Sequence, residues 1–327
     1  MKDDFLRIAG RNFALAGEPV RIKGTNYRDQ AGFRTFRDWM GDRAVVGNVD
    51  SCVGLGMNAV RIDLAWGEGE EEGELLPLVR RFFSFCRARG LRLYFFLKWP
   101  RPFAPAGTLE DALNKTYLRE VMDTFASEPG VIAWDLGNEL DHISHERWHW
   151  SMDLSEAARR LHFMRRMADE IRGLDDSHPI SMGATFSYSY WVPQEPLALL
   201  DFVDFVDFHY YRRNYRDSTL AEEIAEVRSR TDKPILLGEI GRSSDPDYHP
   251  AGEEENDEER QADAYRRYIA DVAGSDAVGF LQWTLLDYRL YEPGETFYGI
   301  HRVDGSAKPA AAVVRDSFEA WPGPGEW

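Results

Sequence analysis

Two glutamates close stretches that are otherwise apolar: Glu139 in VIAWDLGNEL and Glu239 in KPILLGEIG. A buried strand normally ends on a turn residue, so an amide and a carboxylate side by side, Asn138 and Glu139, either cap the next segment or supply acid–base groups. Two carboxyls facing each other across a sugar ring can cleave a glycosidic bond. One protonates the leaving oxygen, and the other attacks the anomeric carbon or activates water on the far face. A separation of about 5–5.5 Å retains the anomeric configuration through a covalent intermediate, and about 6.5–9.5 Å inverts it.

That geometry requires elements able to bring residues a hundred positions apart to one place. Eight strand-like runs are present: 19–27 (PVRIKGTNY), 57–66 (MNAVRIDLAW), 91–99 (LRLYFFLKW), 131–139 (VIAWDLGNE), 178–185 (HPISMGAT), 204–211 (DFVDFHYY), 233–241 (KPILLGEIG) and 277–287 (AVGFLQWTLLD). They alternate with segments of helical period at 75–89, 108–127, 153–173, 220–230 and 258–273, the pattern of β/α units around a parallel sheet. Eight such units close a barrel, so the expectation is an α/β chain forming a single (β/α)8 TIM barrel over 1–327. A short N-terminal hairpin at 5–20 (FLRIAGRNFALAGEPV) should plug its bottom. Gly90 and Gly173 are placed to cap their helices in the left-handed conformation. Along 153–173 an apolar stripe faces the sheet, and Arg159, Arg160, Arg165 and Arg166 should face solvent. The run 243–260, rich in Pro, Gly and acids, reads as a mobile loop entering an acidic helix start rather than as a calcium loop.

In such barrels the loops at the C-terminal strand ends converge on one mouth. The ends in order offer Asn26 and Tyr27; Arg61, Asp63 and Trp66; Lys98 and Trp99; Asn138 and Glu139; Thr185; His209, Tyr210 and Tyr211; Glu239; and Trp283 with Asp287. The set is rich in carboxylates, amides, hydroxyls and indoles and holds no phosphate-binding glycine loop. Glu139 on the fourth strand and Glu239 on the seventh should face each other. His209 has no second histidine at metal spacing, so no metal or cofactor is expected. Trp134, in mid-strand, should be core, Tyr210 should point into the helix layer, and Trp148, Trp150 and Trp191 fall in expected mouth loops.

A net charge of -17 and a pI near 5.0 argue against nucleic acid and anionic membrane partners, which would be repelled. Cys52 and Cys86 sit in expected helices as small hydrophobes, which does not indicate a disulfide framework. The start MKDDFLRIAG lacks the order of a secretory signal, and no apolar run could span a bilayer, so a cytoplasmic location is expected.

Taken together, AWDLGNE, KPILLGEIG, the NAVRI of the second strand, DFHYY of the sixth, QW of the eighth and the closing YGIHRVDGSAKPA resemble the retaining (β/α)8 glycoside hydrolases of clan A, especially the family 5 cellulases and mannanases. The resemblance covers nearly the whole barrel, in the right order and spacing. It implies Glu139 as acid/base, Glu239 as nucleophile, and Asn138 as the partner of the sugar 2-hydroxyl. It further implies Arg61 and Tyr211 as contacts of the nucleophile, and His209 and Trp283 as walls of that subsite. Departures are present: many relatives read Asn-Glu-Pro where this chain reads NELD, and FFLKWP lacks the histidine usual in cellulases, with Trp99 resembling the mannanase tryptophan. That tilts the expected substrate towards β-mannosides among β-linked oligosaccharides. A β-glucan-active enzyme of cellulase or β-glucosidase type and a non-catalytic carbohydrate-binding barrel are the alternatives.

Overall fold

The computed structural model describes residues 4–27, 43–65, 75–141, 154–185, 187, 199–211, 218–247, 257–287 and 296–321. Trp66, Trp148, Trp150 and Trp191 lie outside the described residues. The chain begins with β1 (Arg7–Ala9), β2 (Asn12–Leu15) and β3 (Glu18–Val20), an antiparallel meander with one strand more than the expected hairpin. The barrel strands are β4 (Ile22–Asn26), β5 (Ala59–Ala65), β6 (Arg92–Lys98), β7 (Val131–Asp135), β8 (Ile180–Ser181), β9 (Gly183–Ala184), β10 (Val206–Tyr210), β11 (Ile235–Ile240) and β12 (Gly279–Gln282). Helices α1 (Arg43–Gly54), α2 (Leu75–Arg87), α3 (Leu109–Phe125), α4 (Leu154–Leu174), α5 (Leu220–Arg230), α6 (Glu258–Ala273) and α7 (Pro309–Ala320) fall between and after them.

All barrel pairings are parallel, in the order β8-β7-β6-β5-β4-β12-β11-β10-β9. The two ends of this sheet are halves of one sequence stave, 180–184, interrupted at Met182: β8 pairs with β7 and β9 with β10. Eight staves therefore make the ring of a (β/α)8 TIM barrel, and the fifth is a split one. The expected single strand at 178–185 is corrected to two short pieces.

Side chains alternate between two cores because successive strand residues point to opposite faces. Leu93, Phe95 and Leu97 pack outward among helix residues such as Phe83 and Phe125. Tyr94, Ile132, Phe205, Leu236 and Val278 point inward and fill the lower barrel, where Leu6, Phe13 and Val20 of the N-terminal meander join them. Phe13 meets Phe205 edge-on with centroids 5.1 Å apart, so the meander does close this end. Burying a ring of that size is worth about 1.5–3 kcal/mol, and Phe13→Ala would cost about 3–5 kcal/mol once the cavity is counted. With the bottom apolar and plugged, the inward polar side chains are left for the upper layer.

The helices start where the sequence provides caps. Thr108 accepts from Asp111 N ahead of α3, Thr219 and Glu222 form a reciprocal capping box ahead of α5, and Asp257 caps α6. Gly90 has φ +79°, the left-handed conformation expected after α2. Gly173 does not: α4 runs through it to Leu174. The arginine face of α4 is only partly solvated. Arg166 pairs with Asp111 at 2.7 Å and donates to Ala104 O, and Arg160 donates to Leu140 O at 2.9 Å. The 243–260 run is also corrected at its start: Ser243, Ser244 and Asp245 are buried, while 248–256 lie outside the described residues. Cys52 and Cys86 are free and buried, and burial pushes the Cys52 thiol up to about 12. Among the described residues no helix is long and apolar enough to cross a membrane.

Candidate active site

Arg61 organises the upper layer. It projects inward from β5, has no exposed side-chain surface, and lies over the Phe96 ring at 4.6 Å from its centroid. Its four terminal N–H groups are all committed. Nη1 donates to Asn26 Oδ1 and Glu239 Oε1, both at 2.9 Å; Nη2 donates to Asp135 Oδ2 at 2.7 Å and Asn138 Oδ1 at 2.9 Å. Burial alone would lower the guanidinium pKa, but the charges of Asp135 and then Glu239 outweigh it and raise the pKa, so the cation is secure.

Glu239, on β11, is 4% exposed and accepts from two directions. Arg61 takes Oε1, and the Tyr211 hydroxyl donates to Oε2 at 2.5 Å. Burial, followed by the negative charge of Glu239, raises the Tyr211 pKa well above that of a free phenol, so it remains a donor. A guanidinium and a phenol thus each occupy one oxygen of this carboxyl.

Glu139 stands just beyond β7 with a backbone φ of +50°, a conformation that costs a non-glycine residue strain. The backbone is fixed from both sides: Glu139 N donates to Gly183 O at 2.7 Å, and Gly137 N donates to Asp135 Oδ1 at 3.0 Å. The LD that departs from the resemblance serves as an anchor. Asp141 accepts from Thr185 N and Oγ1, and Leu140 O accepts from Arg160. The Glu139 side chain is about one quarter exposed, so it is the carboxyl of the pair that faces the mouth.

His209 joins the two acids. Its Nδ1 lies 2.8 Å from Glu139 Oε1 and 3.5 Å from Glu239 Oε2. Burial is the largest influence on the ring and Arg61 adds to it; despite Glu239, they bring its pKa down to about 4, so it is neutral at pH 7. A neutral ring facing two carboxyl oxygens carries its proton on that nitrogen. Tyr210, by contrast, points outward, donates to Ser218 O and packs edge-on to Tyr268.

The structure therefore gathers Arg61, Asn138, Glu139, His209, Tyr211 and Glu239, with Trp283 beside Tyr211 in a small aromatic cluster. It does not bring Trp99 there. Trp99 is in the outer core, edge-on to Tyr117 and Phe163, with its indole N–H donated to Leu136 O. Its position is that of Leu93, Phe95 and Leu97, which all face the helices. Trp134 is core as expected, donating to Asp175 at 2.7 Å.

Sequence reasoning passed over Asp135, Asp207, Tyr94 and Gly183. Asp135 and Asp207 are carboxylates inside apolar staves, and a charge in such a setting needs a partner. A Cβ on Gly183 would lie 2.7 Å from Arg61 Nη2, 2.9 Å from Asp135 Oδ2 and 3.0 Å from His209 Nε2, so only glycine fits there.

One oxygen of each glutamate and a ring nitrogen of His209 lie within 4.8 Å of one another. That spacing could suit a metal ion, but the donor set does not. Both Glu239 oxygens already accept strong hydrogen bonds, and the Arg61 guanidinium supplies the positive charge. The same spacing suits two carboxyls acting on one atom placed between them.

Among the described residues, nine short strands in eight staves and a polar mouth define the barrel class. No family profile matches the sequence, and no curated protein matches it. Solved structures do match. An exo-β-1,4-mannosidase from Opitutaceae bacterium strain TAV5 superposes with TM-score 0.73 at 20% identity, over 97% of this chain and 61% of that one. An endo-1,4-β-mannanase from Rhizomucor miehei gives 0.69 at 15% identity, over 97% and 99%. A Bifidobacterium dentium β-glucuronidase complexed with coumarin-3-O-glucuronide gives 0.71 at 17%, over 99% and 50%. The chain spans about half the length of that enzyme and of a matching GH2 β-galacturonidase from Eisenbergiella tayi. At these identities the likeness is one of fold.

Proposed function

We propose that the chain is a retaining glycoside hydrolase acting on β-linked oligosaccharides or glycosides, with Glu239 as nucleophile and Glu139 as acid/base. The observation that carries the reading is the unequal treatment of two carboxyls whose oxygens come within 4.8 Å. Glu239 accepts from Arg61 and Tyr211 on its two oxygens, whereas Glu139 faces the mouth on a fixed backbone with His209 at one of its oxygens. So close an approach favours retention over inversion, whose carboxyls stand about 6.5–9.5 Å apart to admit water.

In the first step Glu139 gives its proton to the glycosidic oxygen as that bond breaks, while a Glu239 oxygen bonds to the anomeric carbon. In the second, Glu139 removes a proton from water, whose oxygen displaces Glu239 and restores both carboxyls. Asn138 offers its amide N–H groups to a sugar hydroxyl because its Oδ1 is taken by Arg61. That contact gains strength as positive charge develops in the transition state.

A β-mannoside is the substrate we favour. The support for it is the mannosidase and mannanase among the matching barrels, since Trp99, which suggested it in the sequence, is buried away from the site. Aryl β-mannosides, β-glucosides and β-glucuronides, with defined manno- and gluco-oligosaccharides, should be compared by kcat/KM, and the first-formed anomer followed by NMR. Mannosides turned over fastest with a β-anomer formed first are the expected result. An α-anomer formed first would overturn the mechanism, and preference for another sugar the substrate.

A further inference from the structure

The closing segment YGIHRVDGSAKP lies outside the eight staves, yet it is bound into the mouth more firmly than a surface connection requires. It runs beside the end of β12, with His301 N donating to Leu285 O at 3.0 Å and Asp287 N to His301 O at 2.8 Å. A buried clamp fixes it. Lys308 Nζ donates to Asp287 Oδ1 at 2.7 Å and Ser244 Oγ at 2.9 Å, and Gly299 N donates to the same Asp287 oxygen at 2.9 Å. Gln261, from α6, donates to Arg242 O at 2.9 Å and reaches Tyr298 O at 3.4 Å. A buried ion pair is weak evidence for stability, and setting register is the better-attested use of one.

What the clamp fixes in place is Tyr298. Its ring is 4% exposed and meets the Tyr211 ring edge-on, with centroids 5.6 Å apart and planes at 89°. On the other side the backbone of Gly241 leaves no spare space. A Cβ there would lie 3.1 Å from Tyr211 Cε1, 3.2 Å from Tyr298 Cδ1 and 2.6 Å from Trp283 O. Tyr211 follows the last residue of β10, so the ladder does not fix its ring, whereas Tyr298 and Gly241 do. Its hydroxyl is the group 2.5 Å from Glu239 Oε2.

We propose that Tyr298 is a positioning residue: carried in on the clamped closing segment, it holds the Tyr211 ring so that its hydroxyl stays on Glu239. The proposal rests on Glu239 being the nucleophile. It explains why the second glycine of GEIG and the distant YG of the closing stretch belong to one device, the first admitting two rings against the backbone and the second delivering one of them.

The test is a double-mutant cycle on the intact chain with Tyr211→Phe and Tyr298→Ala, and Tyr298→Phe as the conservative variant. Tyr298→Ala should lower kcat roughly tenfold or more, the scale of a lost hydrogen bond to a charged group, with KM changed by less than about threefold. It should also move the acid limb of the pH profile upward, as Tyr211→Phe should, while Tyr298→Phe, which keeps the ring, should stay nearer wild type than Tyr298→Ala. In the Tyr211→Phe background Tyr298→Ala should have little further effect. Fully additive losses, or a Tyr298→Phe as impaired as Tyr298→Ala, would overturn the proposal. Should Tyr298→Ala not fold, Lys308→Met, which releases the clamp, should shift the same acid limb, and an unmoved limb counts against the proposal. If the wild-type protein turns over no glycoside, the functional reading fails, and crystal structures decide the positioning role separately. A Tyr211–Glu239 contact that opens in Tyr298→Ala supports it, and one that stays closed overturns it.

Discussion

The Tyr94 hydroxyl donates to Asp207 Oδ2 at 2.5 Å inside the barrel, with both side chains shut off from water. Asp207 sits two residues before His209 on β10, so it lies one inward-facing position deeper than the site. Arg61 is the cation amid Asp135, Asp207 and Glu239, and its terminal N–H groups go to other partners. Burial pushes the Asp207 carboxyl up to about 7; Arg61 opposes this and Asp135 reinforces it. Burial thus favours the neutral Asp207 carboxyl, and the Arg61 terminal N–H groups go to Glu239 and Asp135 instead.

This state predicts an inverted pH dependence for Asp207→Asn. A carboxyl whose pKa is higher folded than unfolded stabilises the fold at low pH, and that contribution is lost as pH rises through the folded value near 7. Asparagine does not titrate, so Tm of the variant minus Tm of wild type should increase from pH 5 to pH 8. The change corresponds to on the order of 2–4 kcal/mol as an upper limit. An Asp207 ionised throughout that range would bind no proton in either state and leave the Tm difference flat from pH 5 to pH 8. Thermal melts across that range separate the two.

Arg61→Lys keeps the charge and loses the planar set of four terminal donors that reaches Asn26, Glu239, Asp135 and Asn138 together. It should reduce kcat/KM by on the order of 10²–10³-fold, as loss of preorganised donors does. Arg61→Met, which strands two buried carboxylates, should cost about 3–5 kcal/mol more in urea or thermal unfolding than a surface Arg→Met. Wild-type kinetics from Arg61→Lys would show that position, and not donor geometry, is what matters.

The two glutamates should fail differently. Glu239→Ala removes the atom that forms the covalent bond, so turnover should vanish whatever the leaving group. Glu139→Ala removes a proton, so its loss should be on the order of 10²–10⁴-fold for alkyl leaving groups but small in the first step for dinitrophenolate, which departs unassisted. A burst of dinitrophenol, followed by slow turnover that azide accelerates by forming a glycosyl azide, is the pattern to look for in stopped-flow traces. Equal losses from both variants on every substrate would remove the assigned division of labour.

Most of the barrel was legible because strand runs and helical periods leave a pattern that tertiary contacts reinforce. The placement of Glu139 and Glu239 at two stave ends follows from that pattern alone. Trp99 was misplaced although the information was present: counting in twos from Tyr94 and Phe96, which face Arg61, puts residues 93, 95, 97 and 99 against the helices. Asp135 and Asp207 carried a similar signal, since a carboxylate in a fully buried stave needs a partner or a proton. The break of the fifth stave at Met182 had no such signal. It arises where Gly183 must fit beneath Arg61, Asp135 and His209, a demand set by residues far away in sequence.

Two glycines make that demand measurable, because the same substitution should act with opposite sign at each. Gly173 lies within α4 without a positive φ, and a Cβ there meets nothing within 4 Å. Gly173→Ala therefore removes backbone freedom from the unfolded chain at no steric cost and should stabilise by about 0.5–1 kcal/mol, with kinetics unchanged. Gly183→Ala forces a methyl into the 2.7 Å and 2.9 Å gaps to Arg61 Nη2 and Asp135 Oδ2. Overpacking of this kind costs about 1–3 kcal/mol, and here the groups that must give way are those that orient Glu239, Asn138 and His209. A displacement of about 1 Å at an active site lowers kcat/KM by on the order of 10²-fold, so activity should fall much further than stability. Thermal melts and kcat/KM on the preferred aryl glycoside would test both variants together. A fully active Gly183→Ala would mean that Arg61 can move without disturbing the carboxylates it holds.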